Sequence, residues 1–136
     1  MTDREPTRFE HYRKRAGQLV SDRERIRDLA QDAGEKLERT GSWSARFRAV
    51  REDLRLLISL LQAYYRGEYT DVSKRTLVTV AAGVLYFLMP LDVIPDFLLG
   101  LGLADDAAVI GYVIAAVRGE IDAYRAYLAG KENDQP

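Results

Sequence analysis

The sequence predicts an all-α fold, a compact helical domain of about four helices with a Pro/Asp-rich turn between two apolar helices, preceded by a long charged amphipathic helix. Three observations predict it. Apolar residues recur at intervals of three and four along most of the chain. The β-branched residues fall inside those helical periods, and no stretch alternates as a strand would. Gly, Pro and Ser interrupt the periods where helices should start and stop.

The first period runs Phe9, Tyr12, Ala16, Leu19, Arg23, Ile26, Ala30, Ala33, Leu37, one narrow stripe among densely charged residues. It predicts one long helix packed on its own domain. A dimerising coiled coil is the second reading. Alanines and Arg23 in the stripe make it a weak seam, so packing within the chain is preferred. Thr40-Gly41-Ser42 ends the segment, with Ser42 as N-cap of the next helix. That helix carries Trp43, Phe47, Val50, Leu54, Leu57, Leu61 and Tyr64, with Ile58 and Tyr65 widening the stripe, and should end near Gly67. Ser73 is the expected N-cap of a third helix, apolar nearly all round and stopped after Leu88 by Pro90. A last helix is expected from Ala107 to about Leu128. Its inner face would be Val109, Tyr112 or Val113, Ala116, Ile121, Tyr124 and Leu128. The expected organisation is a charged helical arm (1–41), a helical domain (42–130) and a polar tail (131–136).

The net charge of −1 conceals an asymmetry. Residues 1–75 hold 17 Lys/Arg against 13 Asp/Glu, and residues 76–136 hold 3 against 8. Arginines of the first half are therefore placed to neutralise acids of the second. There is no cysteine, so disulfides, thiolate metal sites and cysteine nucleophiles are excluded. The polar N-terminus lacks the apolar core of a signal peptide, which predicts a cytoplasmic protein. The longest uncharged run, Thr76 to Leu91, would make a helix of about 24 Å, short of the roughly 30 Å hydrocarbon core of a bilayer.

The centre of the chain holds the feature that bears on function. Asp92, Asp96, Asp105 and Asp106 stand in a region from Thr76 to Val117 that contains no Lys, Arg or His. Acids in apolar surroundings need compensation. Capping of helix N-termini and pairing with arginines is the preferred reading, with Arg51 and Arg55 as ion-pair candidates. The second reading is a carboxylate cluster for Mg²⁺ or Ca²⁺, which take oxygen ligands.

Tyr86, Pro90-Leu91-Asp92-Val93-Ile94-Pro95-Asp96, Gly102 and Asp105-Asp106 together resemble the YkvA-like domain of unknown function. The likeness covers roughly Tyr64 to Val117. Met89 and Leu99 stand where family members often carry Ser and Pro. The resemblance implies a small helical domain, sometimes associated with membranes, with no established activity.

Catalysis and nucleic-acid binding find little support. His11 is the only histidine and lies on a charged helix far from the aspartates. Gly100-Leu101-Gly102 follows no strand and sits beside acids, unlike a phosphate-binding turn. The basic residues are interleaved with acids, so no clean positive stripe emerges. The sequence thus predicts a non-enzymatic interaction or scaffold protein without a cofactor. Its partner would be another protein or a second copy held through the N-terminal helix, or an anionic membrane surface. Partial membrane insertion and a divalent-cation-binding domain are the alternatives.

Overall fold

In a computed structural model, residues 9–39, 48–88 and 109–133 are described. All six elements among them are helices, and no strand occurs there. They are α1 (Phe9–Leu19), α2 (Arg23–Arg39), α3 (Arg48–Arg66), α4 (Lys74–Leu88), α5 (109–116) and α6 (Arg118–Asn133). The all-α expectation holds. The helix count is higher than four because two of the expected helices are each divided.

The first division falls within the N-terminal stripe. The chain leaves the helix at Val20–Asp22, and Asp22 caps a new one by accepting the Glu24 N–H on its side chain at 3.0 Å. An Asp side chain competes in this way with the helical ladder, which favours a cap over a helix interior. The spacing continues through the break, so periodicity could not reveal it. The same stripe is nevertheless the buried one: Phe9 and Ala16 in α1, and Ile26, Ala30, Ala33 and Leu37 in α2. Arg23, its polar member, is exposed and donates through Nε to the carbonyl of Tyr65 at 3.0 Å, with Nη2 on the same oxygen. The cation thereby satisfies a carbonyl in the last turn of α3.

Helix α3 buries Leu54, Leu57, Ile58, Leu60, Leu61 and Ala63. It ends in a Schellman motif, with Gly67 at φ 75°. The N–H of Gly67 reaches the carbonyl of Tyr64 at 3.1 Å, and that of Glu68 reaches Ala63 at 3.0 Å. Glycine adopts this left-handed conformation without a Cβ penalty. A short connection leads to Ser73, whose Oγ accepts the Thr76 N–H at 3.2 Å and caps α4 as expected. Glu120 of α6 closes the cap from outside, accepting from Ser73 N at 3.0 Å and from Ser73 Oγ at 3.1 Å.

Helix α4 is the axis of the molecule. From Thr76 to Phe87 every residue except the half-buried Val78 is buried. Residues of α1, α2, α3, α5 and α6 join it in one core, so the N-terminal helices pack in the same interior as the rest. Helix α2 runs antiparallel to α3, with Arg23 beside Tyr65 at one end and Leu37 beside Ile58 toward the other. The second division is slighter. Val117 is a turn residue between α5 and α6, yet Val117 N still reaches the Val113 carbonyl at 3.1 Å and Ile121 N reaches Val117 at 2.9 Å. Val113 rather than Tyr112 faces inward, and Ala116, expected inside, is exposed. Helix α6 continues past Leu128 to Asn133, because the exposed Gly130 keeps a helical conformation and does not terminate it.

Candidate functional site

The Pro/Asp-rich motif falls within residues 89–108, between the end of α4 at Leu88 and Val109 of α5. The two helices that flank it in sequence are packed together. Gly83 of α4 lies so close to α5 that an added Cβ would stand 2.9 Å from Val113 Cγ2. Glycine is required here by close approach of another helix, not by backbone conformation. Tyr86, the one motif residue in the described part, is 2% exposed and meets Tyr12 of α1 edge-on, with ring centroids 5.0 Å apart. Phe9 meets Tyr112 of α5 in the same manner at 5.4 Å. Such edge-to-face pairs orient their partners as well as burying them. Helix α1 therefore packs against both α4 and α5.

Basic side chains gather at this end. Lys36 of α2 donates to the carbonyls of Phe87 and, at 3.3 Å, Leu88, and its ammonium lies 4.6 Å from the Phe87 ring centroid. It occupies the negative end of the α4 dipole. Arg13 of α1 donates to Tyr112 OH at 3.3 Å and lies over the Phe9 ring at 5.4 Å. Arg51 is half-buried, with its Nε enclosed and without a hydrogen-bond partner among the described residues.

The other expected site residues divide as follows. Pro90, Asp92, Pro95, Asp96, Gly102, Asp105 and Asp106 lie outside the described residues, as do Trp43, Phe47 and Gly100. Arg55, the second ion-pair candidate, is exposed and lines a small cavity of about 250 Å³ with Gly34, Leu37, Glu38, Ile58, Ser59 and Gln62. His11 is exposed, its ring edge-on to Tyr12 at 5.3 Å. No group of three or more His, Asp or Glu residues that could hold a metal occurs among the described residues. Reasoning from sequence missed Lys36 and Arg13. Each is one cation among many on a charged helix, and its partner lies 51 or 99 residues away.

Away from this end, burial is the larger influence on Asp53, raising its carboxyl above the ordinary carboxylate value, against the opposing pull of Arg125 and Arg118. Burial likewise raises Tyr124, whose hydroxyl shares a hydrogen bond with Ser59.

Residues 76–112 match the model of a protein family described only as a protein of unknown function, DUF1232. The match begins at the first buried residue of α4, spans the Pro/Asp-rich segment and ends at Tyr112. The central segment of this chain is therefore similar to that family over residues 76–112. A relative in Bacillus subtilis, the uncharacterized membrane protein YkvA, is 40% identical over 68 residues, half of this chain and 64% of the relative's own length. No solved structure matches the chain.

Proposed function

We propose that this chain is a non-enzymatic interaction module that attaches peripherally to a membrane surface and holds a partner there. The observation that carries this reading is the burial of α4. Helix α4, apolar nearly all round, is covered by the other described helices, so its hydrophobicity is satisfied within the protein. No described helix is long and apolar enough to cross a membrane. A relative named as a membrane protein favours a membrane surface as the site of action. The segment 89–108 then supplies the contact, since it carries Leu91, Val93, Ile94, Phe97, Leu98 and Leu99 and follows in sequence the end of α4 at which Lys36 stands.

In this reading Asp92, Asp96, Asp105 and Asp106 cap local turns or pair with Arg13, Lys36 and Arg51, holding the segment in one geometry. The half-buried, unpartnered Nε of Arg51 favours such pairing. The test is fractionation of the untagged protein expressed at low level, with high-salt and alkaline carbonate washes of the membrane pellet. A peripheral protein is released by the washes. Retention through carbonate would replace this reading with partial insertion, and recovery wholly in the soluble fraction would remove the membrane from it. Calorimetric titration with Mg²⁺, Ca²⁺ and Mn²⁺ separates the ion-pair role of the aspartates from cation binding, since pairing predicts no saturable heat.

A further inference from the structure

We infer that the side of the molecule formed by α1 and α5 lies on a bilayer rich in anionic lipid, with the outer face of α5 at the headgroup boundary and the cations of α1 on the headgroups. Among the described helices α5 alone is without a charged residue. Its inner side is closed, with Val109, Ile110, Val113 and Ile114 buried. Its outer side meets water: Gly111, Ala115 and Ala116 are exposed and Tyr112 is half-buried. In helical projection these four fall on one continuous arc of about 140°. A helix face turned to water ordinarily carries polar or charged side chains, and this one carries a single hydroxyl.

Helix α1 supplies the charge beside it. Arg13-Lys14-Arg15 sets three cations against Glu10, the one acid of that helix. Arg13 reaches across to α5 and donates to Tyr112 OH at 3.3 Å, so the basic helix and the uncharged one are neighbours. Lys14 and Arg15 are exposed, and neither makes an ion pair among the described residues. The exposed cations of α2 differ, because they pair with acids close by in sequence: Arg25 with Asp22 at 3.8 Å, and Arg27 with Glu24 at 2.8 Å.

The two helices together choose the occupant. A lipid surface offers an anionic layer with an apolar boundary directly beneath it, which matches both. A nucleic acid would meet the cations and leave the uncharged face of α5 unused. Tyr112 stands at the junction, with an apolar ring and a hydroxyl held by Arg13, and tyrosine is enriched at that boundary.

This inference rests on the membrane reading above and adds the face and the lipid class. The chain has no cysteine, so a single introduced one can carry a polarity-sensitive dye. Ala115→Cys on α5 and Ala126→Cys, exposed on α6, are compared on vesicles. The vesicles are phosphatidylcholine alone, or phosphatidylcholine with about one third phosphatidylserine. The full chain should sediment with the anionic vesicles, less with the neutral ones, and be released by high salt. The dye on A115C should shift to the blue on binding, and the dye on A126C should not. K14E/R15E should weaken binding about 25-fold or more, since each cation near such a surface strengthens it about fivefold. R55E/R66E makes the same change of net charge at exposed positions of α3 and should weaken binding far less. Circular dichroism checks that these exposed substitutions leave the fold intact. A dye shift on A126C and not on A115C, or equal losses for the two double variants, would overturn the assigned face and leave the membrane reading standing. A shift on A115C that follows protein concentration without vesicles would give the face to a second copy and overturn the inference. Failure to bind either kind of vesicle would overturn both.

Discussion

Lys36 shows what one side chain contributes at this scale. Its stem lies along the last turn of α4, and its ammonium satisfies carbonyls that the helix cannot pair for itself. A hydrogen bond to a charged group contributes about 1.5–3 kcal/mol, and the helix dipole adds to it. Lys36→Met, which keeps the stem and removes the charge, should therefore cost about 2 kcal/mol and lower the midpoint of thermal unfolding. An unchanged midpoint would show the contact to be incidental. Tyr86 was legible in the sequence because it belongs to a motif with two prolines and four aspartates. Lys36 was not, because nothing local distinguishes it from its charged neighbours and its partner is supplied by the tertiary fold. Arg23 is an intermediate case. The periodicity placed it in an apolar stripe without a reason, and the carbonyl of Tyr65 is the reason.

At the scale of elements, helix ends were readable where their chemistry is local. Gly67 closes α3 and Ser73 opens α4, each with the hydrogen bonds its residue type predicts. The break at Val20–Asp22 was hidden because the apolar stripe runs through it without a change of phase. The contact between α4 and α5 yields a prediction. Gly83→Ala would raise helix propensity by about 1 kcal/mol in isolation. Its Cβ would fall 2.9 Å from Val113 Cγ2, a methyl on a side chain that is stiff at χ1, and overpacking of this kind costs about 1–3 kcal/mol. G83A should thus be net destabilising. Adding Val113→Ala in the G83A background should recover part of the loss, although V113A alone destabilises. The sign of that coupling, measured by a double-mutant cycle in chemical denaturation, decides whether the two helices meet there.

The whole molecule is one core wrapped around α4, and the N-terminal helices are part of the wrapping. Deleting residues 1–22 removes α1, uncovers Tyr86 on the Tyr12 side and releases Tyr112 from Phe9. The shortened chain should lose its sharp unfolding transition and aggregate through the exposed face of α4. A shortened chain that stays monomeric and melts cooperatively would make α1 a separable appendage.

The sequence alone determined the helical class, most of the buried stripe in α1 to α4, the caps at Gly67 and Ser73, and the resemblance that the family match later bore out over residues 76–112. These follow from period and local hydrogen bonding, which neighbouring residues specify. Only the tertiary structure decided that α4 is enclosed by the other described helices, that Lys36 stands at the end of α4 and Arg13 on Tyr112 of α5, and that Gly83 admits Val113. A buried helix and a lipid-facing one carry the same apolar residues. What separates them is the packing of helices distant in sequence, which no local pattern encodes.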